Sequence, residues 1–294
     1  MRARSSGPDF LSVGMQKTGT GWLYDQLKWH PSIWLPPVKE IHYLVGQGVR
    51  HKRRLERLIS RDAKAINENR SRRGVRPVEE RDLEFYRTLL VAPDEDPDLS
   101  HYEKLFAMKG GQISGDITPA YSIMAPERIA DVVKRFPNLR VVLGIRDPIE
   151  RFWSQVSQFI SGSARIGREL NEKDWVAVSK FLVGNAAALR SYPTRVAANW
   201  RAHFPAEQFL VIFFDDLRVD PKQVRTTVLE FLGVDPQQFP ADIPAEEDRK
   251  ATRSRVEMPP EIHQRLIDHF ADEIRACAAT FGGPALAWPG KHGL

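Results

Sequence analysis

A short glycine-rich segment near the start of the chain has the composition of an anion-binding turn. The segment GMQKTGTGWL occupies residues 14–23 and directly follows an apolar stretch at residues 10–13. Free backbone N–H groups and the dipole at a helix N-terminus favour a phosphate. Lys17 precedes Gly19, so the nucleotide-triphosphate pattern GxxxxGK[ST] does not match. The segment therefore predicts a phosphate site without the magnesium-triphosphate groups, and a purely structural glycine turn is the alternative.

A second candidate phosphate site follows another apolar stretch. Residues 139–145 read LRVVLGI, which predicts a buried strand, and RDPIERFWS comes next. Asp147, Pro148 and Glu150 have the spacing of a helix N-cap and first turn. Arg146, at the end of the strand, and Ser154, on the helix, could therefore reach one phosphate. A surface ion pair is the common alternative for an arginine in such a turn.

Alternating strands and helices are predicted around these segments. They indicate an α/β protein with a P-loop-like three-layer fold, in which helices flank a central, mostly parallel sheet and ligands bind at the carboxyl ends of the strands. We expect a single domain at residues 8–294, a flexible tail at 1–7 and a charged insertion at 46–100, which is either solvated helices or a basic lid. The predicted strands are 10–13, 33–35, one ending at 112–114, 139–145 and 209–214, and the predicted helices are 20–29, 126–136, one beginning near 148, 195–203, 221–232 and 260–278.

Composition restricts the class of protein. The 294 residues carry a formal charge of +5, which suits an anionic ligand but is low for a dedicated nucleic-acid binder. A single cysteine, Cys277, predicts neither a disulfide framework nor a zinc cluster. We find no apolar run of membrane-spanning length and no signal-peptide core in the opening residues, so we expect a soluble, cytoplasmic protein.

Four motifs follow one another along the chain: QKTGTGWL, KEIHYL, GDITPAY and RDPIERFWS. Taken together in this order, they resemble the sulfotransferases that use 3'-phosphoadenosine 5'-phosphosulfate (PAPS). The chain is most similar to the heparan-type carbohydrate branch, from about residue 10 to Trp288. The resemblance implies transfer of a sulfuryl group to a hydroxyl or amine of a carbohydrate-bearing acceptor, without a metal. A lipid or small-molecule acceptor, a triphosphate-using enzyme and a non-catalytic polysaccharide-binding protein are the alternatives.

The resemblance also implies residues that bind the donor. Lys17 would lie beside the oxygen that bridges phosphorus and sulfur, where negative charge develops as the sulfuryl group leaves. Arg146 and Ser154 would hold the 3'-phosphate, and Arg253 loosely matches a basic loop that closes over it. Trp22 would lie near the adenine or, in the favoured interpretation, pack in the core. The remaining donor contacts would come from Thr18, Gly19, Thr20 and Gly21, with Gly21 standing where the family often has a polar residue.

The acceptor side of the site follows from the same resemblance. Glu40 matches the general base that would remove a proton from the attacking acceptor group. His42 would be a second acceptor-site residue or an alternative base. Asp116 and Tyr121 are expected to bind the acceptor. Ile117 stands where the heparan-type pattern has a lysine, which leaves the acceptor less defined than the donor.

Overall fold

Four short parallel strands form the centre of the protein. A computed structural model describes residues 6–46, 78–92, 98–162, 178–179, 186–246 and 257–294. The strands are β1 (Phe10–Ser12), β2 (Gly115–Ile117), β3 (Arg140–Ile145) and β4 (Phe209–Phe213). The strand order is β2-β1-β3-β4, and Phe10 of β1 lies between Gly115 of β2 and Arg140 of β3. The chain therefore moves from β1 to one side and then crosses to the other, which creates a switch point between β1 and β3.

Helices cover both faces of the sheet. Alternate residues of β3 point to opposite faces, so Val141 and Leu143 enter one apolar cluster and Val142 enters the other. The described helices are α1 (Thr20–Leu27), α2 (Glu80–Leu90), α3 (Leu99–Lys104), α4 (Pro126–Arg135), α5 (Pro148–Gly162), α6 (Ala186–Leu189), α7 (Pro193–Arg201), α8 (Phe214–Val219), α9 (Pro221–Leu232), α10 (Pro260–Phe281) and α11 (Trp288–Lys291). The cluster around Val142 also receives α1 and α9, whereas α4, α5, α7 and α10 pack on the opposite side. This arrangement confirms the predicted fold class.

Two strand predictions are wrong. In place of the predicted strand 33–35, Ile33 makes an isolated bridge to Ile113. The two prolines that follow at 36 and 37 lack the N–H groups that a longer ladder requires. The strand expected to end at Ser114 instead begins at Gly115. A Cβ at Gly115 would lie 2.4 Å from the backbone oxygen of Phe10, so this close pairing depends on a glycine.

The domain limits stay predictions. Residues 1–5 of the predicted tail (1–7) and most of the 46–100 insertion lie outside the described residues. Within that insertion, α2 is described, and its start is fixed by a capping box between Glu79 and Asp82. In the described part of the chain, no helix is both long enough and apolar enough to cross a bilayer.

Candidate active site

The candidate site lies at the carboxyl ends of β1 and β3, where two glycines let the chain segments approach. A Cβ at Gly14 would lie 2.1 Å from the backbone nitrogen of Gly144. A Cβ at Gly144 would in turn lie 2.8 Å from the hydroxyl of Thr18. Both spaces are too small for a side chain, so this glycine pair seats residues 14–19, called here the glycine loop, directly on the end of β3.

The glycine loop is ordered by its own contacts and leads into α1. The buried Thr18 hydroxyl donates to the carbonyl of Met15 at 2.6 Å, so it serves the loop itself. Gly19 has a φ of 87°, which glycine adopts without strain, and α1 begins at Thr20. Gly21 therefore lies in the first turn of α1. Trp22 is 7% exposed and donates from its indole nitrogen to the carbonyl of Ala245 at 2.6 Å.

Lys17 connects this loop to α5. Its ammonium donates to the side-chain oxygen of Gln158 at 3.0 Å. The backbone of Lys17 is left-handed, with a φ of 72°. Its carbonyl oxygen accepts a hydrogen bond from Arg146 at 3.4 Å. The two segments in which we predicted phosphate contacts are therefore joined directly.

Arg146 is buried among partners that fix the plane of its guanidinium. Glu150 accepts from its Nε and Nη2 at 3.2 and 3.0 Å, and the ring of Phe214 lies 4.4 Å from the guanidinium carbon. Asp147 caps α5 by accepting from the backbone nitrogen of Glu150 at 3.0 Å, which confirms the predicted helix start. Ser154 lies one turn after Glu150 on the same helix and is half-buried. The Nε and Nη2 edge of the guanidinium, which donates here to Glu150, has the fork geometry that also recognises a phosphate.

A buried arginine that the sequence reasoning missed lies beneath the glycine loop. Arg151 donates to the carbonyl of Gln16 at 3.3 Å and to the hydroxyl of Ser191 at 3.0 and 2.7 Å. Burial, together with the positive charges of Arg190 and Arg146, lowers the pKa of Arg151 to about 9. An anion bound at the loop would offset this repulsion. The signal for Arg151 was its place in RDPIER, although its burial could not be read from the sequence.

A second residue that the motifs did not identify, Lys39, ties Glu40 to the start of α1, directly after the glycine loop. The Lys39 ammonium lies 3.1 Å from Oε1 of Glu40 and 3.3 Å from the hydroxyl of Thr20. The other carboxylate oxygen of Glu40 lies 3.4 Å from Nε2 of His42. Burial alone would raise the pKa of Glu40, but the hydrogen bond from His42 and the charge of Lys39 outweigh it and lower that pKa to about 2. Glu40 is therefore ionised and held by two donors.

His42 is buried more deeply than Lys39 and Glu40. It is 3% exposed, and its Nδ1 has no hydrogen-bond partner within the described residues. When Nε2–H donates to Glu40, Nδ1 of the neutral ring carries a lone pair. His42 and Glu40 have left-handed backbones, with φ of 60° and 62°. With Lys17, they are the non-glycine residues of positive φ in the described part of the chain.

Asp116 and Tyr121 form an internal network. Asp116 accepts hydrogen bonds from Tyr102 at 3.0 Å, from Tyr121 at 2.6 Å and from Thr118 at 2.6 Å. Tyr121 also accepts from the backbone nitrogen of Leu44 at 3.3 Å, close to the Glu40–His42 turn. Burial raises the pKa of Asp116. Since both predicted acceptor-binding residues are at most 1% exposed, the geometry favours a role in positioning that turn over direct contact with an acceptor.

The remaining site predictions fall elsewhere. Arg253 lies outside the described residues. Ile117 is buried in the apolar cluster around Val142, so this position contributes packing to the sheet. Among the side chains that the structure describes, no group of three or more His, Cys, Asp or Glu residues could hold a metal ion.

The model of the sulfotransferase family matches residues 8–238. Human carbohydrate sulfotransferase 15 is 21% identical over 96% of this chain, and the chain spans about half (54%) of that protein's length. Mouse bifunctional heparan sulfate N-deacetylase/N-sulfotransferase 4 is 25% identical over 78% of this chain, and the match covers 22% of that protein's length. A crystal structure of a sulfotransferase from Alicyclobacillus acidocaldarius has the same fold, with a TM-score of 0.63, 21% identity and coverage of 97% of this chain and 99% of that one.

Proposed function

The chain belongs to the sulfotransferase family, and we propose that it transfers the sulfuryl group of PAPS to a hydroxyl or amine of a carbohydrate-containing acceptor. One observation carries this proposal: three segments that are distant in sequence meet at the switch point of the sheet. Arg146 donates to the carbonyl of Lys17 at 3.4 Å. Lys39 links Glu40 to Thr20, the residue that directly follows the glycine loop and begins α1. A cationic cradle and an ionised carboxylate therefore share one edge of the sheet.

The residues of the cradle fit a donor with two anionic ends. The glycine loop offers backbone N–H groups and Lys17 to the reacting phosphosulfate, and Arg146 with Ser154 offers a fork and a hydroxyl to the 3'-phosphate. The Gly14–Gly144 approach holds the glycine loop directly against the end of β3, beside Arg146. The buried charge of Arg151 adds to the positive potential below the loop. The names of the relatives support a carbohydrate acceptor, since one is a carbohydrate sulfotransferase and another acts on heparan sulfate.

The transfer is an in-line displacement at sulfur. PAPS supplies the sulfuryl group. The acceptor oxygen or nitrogen forms a bond to sulfur while the bond from sulfur to the bridging oxygen breaks, and its electron pair remains on the departing phosphate. Lys17 stabilises that developing charge. Glu40 takes the proton that the acceptor releases.

For Glu40 to act as the base, its low pKa must rise when the donor binds. A carboxylate with a pKa of about 2 is a weak base. The Lys39 ammonium already lies 3.3 Å from the Thr20 hydroxyl, beside the loop that would hold the phosphosulfate. The phosphosulfate end of the donor carries two negative charges and offers this ammonium a stronger partner than Glu40 does. We therefore expect the pKa of Glu40 to rise when PAPS occupies the loop, which prepares the base.

The proposal is tested by separating donor binding from turnover. Adenosine 3',5'-bisphosphate should raise the thermal unfolding temperature, because a ligand that binds only the folded state stabilises it. A screen with sulfur-labelled PAPS against polysaccharides, glycolipids and small phenols identifies the acceptor. Glu40→Gln should keep the thermal shift and lose turnover. The matched control Glu207→Gln removes an exposed carboxylate just before β4, at the opposite edge of the sheet, and should change neither.

The outcomes discriminate among the candidate functions. No thermal shift at millimolar bisphosphate would refute a PAPS enzyme, and a larger shift with magnesium ATP would favour a triphosphate enzyme. Sulfation of lipids or phenols in place of sugars would contradict the carbohydrate acceptor and favour a lipid or small-molecule acceptor. Donor binding and polysaccharide binding without turnover on any acceptor would indicate a binding protein.

A further inference from the structure

The C-terminal segment, residues 288–294, docks on the turn that carries Arg146. It lies beyond residues 8–238, which the family model matches. Trp288 is 2% exposed and packs edge-on against the ring of Phe213 at the end of β4, with ring centroids 6.2 Å apart. This contact places the last residues of the chain beside the carboxyl ends of the strands.

A buried pair holds this segment in place. His292 is 8% exposed, and its Nε2 lies 2.6 Å from Oδ2 of the fully buried Asp147. The other oxygen of Asp147 caps α5 at Glu150. Nδ1 of His292 lies 3.1 Å from Nε2 of His263 on α10. The C-terminal segment is thus attached to the first turn of the helix that follows Arg146.

Lys291 and Arg146 bind the two oxygens of one carboxylate. Oε2 of Glu150 accepts from Arg146, and Oε1 accepts from the Lys291 ammonium. Burial alone would raise the pKa of Glu150, but Lys291 and Arg146 outweigh it and lower the pKa to about 2. An anion with a cation on each of two oxygens is the arrangement that a bound phosphate also presents.

We propose that Lys291 is a second ligand, beside Arg146, for the 3'-phosphate of the nucleotide, and that Glu150 occupies both cations until that phosphate replaces it. The inference rests on the proposed function. A phosphate monoester brings up to two negative charges and three terminal oxygens, against one charge and two oxygens of Glu150. It can therefore bind both cations at once more strongly than the carboxylate does. Lys291 supplies this second cation from within the described residues, independently of Arg253.

The proposal predicts opposite effects of two substitutions. Lys291→Gln should weaken binding of adenosine 3',5'-bisphosphate roughly tenfold, as expected for one charge-assisted hydrogen bond. Glu150→Gln should tighten it severalfold, because the competing carboxylate is gone. Neither substitution should change the Kd of adenosine 5'-phosphate, which lacks the 3'-phosphate, by more than about twofold. The experiment is isothermal titration calorimetry of both nucleotides at two salt concentrations, with the salt dependence reduced in Lys291→Gln.

A matched control uses Lys134, an exposed lysine at the end of α4, which precedes β3 and so lies at the opposite edge of the sheet. Lys134→Gln should leave both affinities unchanged. Circular dichroism and the unfolding temperature verify that each variant is folded. An unchanged Kd for the bisphosphate in Lys291→Gln, or an equal loss for both nucleotides, would overturn the role of Lys291. Failure of the wild-type protein to bind either nucleotide would overturn the proposed function as well, so the two failures are distinguishable.

Discussion

Replacing Lys39 by methionine should raise the pKa of Glu40 by about 1–3 units. The Lys39 ammonium lies 3.1 Å from Oε1 of Glu40, and a cation at such a distance lowers the pKa of a carboxyl group by roughly this amount. The starting value is about 2, so the variant should titrate between about 3 and 5. Methionine retains much of the aliphatic stem. Burial, which raises the pKa of Glu40, is then opposed by His42 without the help of Lys39.

The assay is a carbon-13 NMR titration of side-chain carboxyl groups. The Glu40 signal is assigned by its loss in Glu40→Gln. From about pH 6 to about pH 3, the wild-type Glu40 signal should stay at its ionised position, whereas in Lys39→Met it should move within that window. Glu150 is an internal control, because its pKa is lowered to about 2 by Lys291 and Arg146 and should not respond. A wild-type Glu40 that titrates near the ordinary 4.5, or an identical titration in the variant, would refute this account of the site.

The same shift has a consequence for stability, with a defined sign. The folded pKa of Glu40 lies below the ordinary 4.5, so its ionised form contributes stability that is full above that pH and is lost as the pH falls towards about 2. In Lys39→Met the folded pKa of Glu40 lies closer to its ordinary value, so less of this stability is lost on acidification. Urea midpoints compared at neutral pH and near pH 4 should therefore fall less steeply for the variant than for the wild type.

Two further predictions concern the scaffold of the site. Gly14→Ala places a Cβ 2.1 Å from the backbone nitrogen of Gly144 and should lower the free energy of unfolding by about 1–3 kcal/mol or more in urea titrations, whereas Gly290→Ala, with no atom within 4 Å, should have little effect. Asp116→Asn puts an amide donor among three hydroxyl donors and should lower the free energy of unfolding by about 1–3 kcal/mol. It should also lower turnover, because the network positions the Glu40 turn. Unchanged stability would contradict the network.

Local patterns predicted much of the fold. The apolar spacing and the opening proline of α4 predicted a helix at 126–136, which the structure places at Pro126–Arg135, and the helix predicted at 221–232 has the same bounds as α9. The strand predicted through Phe214 ends one residue earlier, and α8 begins there. Asp215 and Asp216 in its first turn favour that helix, a signal that the apolar run concealed. The strand β2 was misplaced because its pairing depends on β1, which lies a hundred residues away.

Some features of the candidate site could be predicted from the sequence motifs, whereas others depend on tertiary packing. Motif order indicated that Lys17 and Arg146 belong to one site, and the structure brings them into contact. Family membership, predicted from the same motifs, is confirmed. The burial of Arg151 and the bridge made by Lys39 depend on tertiary packing, which residue types alone do not encode. The individual roles of Lys17, Glu40 and the other site residues stay predictions.

The left-handed backbones at positions 17, 40 and 42 have a consequence for how this protein can be improved or can evolve. A side chain in that conformation costs about 1–2 kcal/mol relative to glycine, so the three together represent about 3 kcal/mol or more, against a typical total stability of about 5–15 kcal/mol. A search for greater thermal tolerance would therefore be drawn to glycine or asparagine at these positions. Each such gain would remove an ammonium, a carboxylate or an imidazole from the candidate site. Substitutions at these three positions that raise thermal stability would therefore lower the capacity of the candidate site for chemistry.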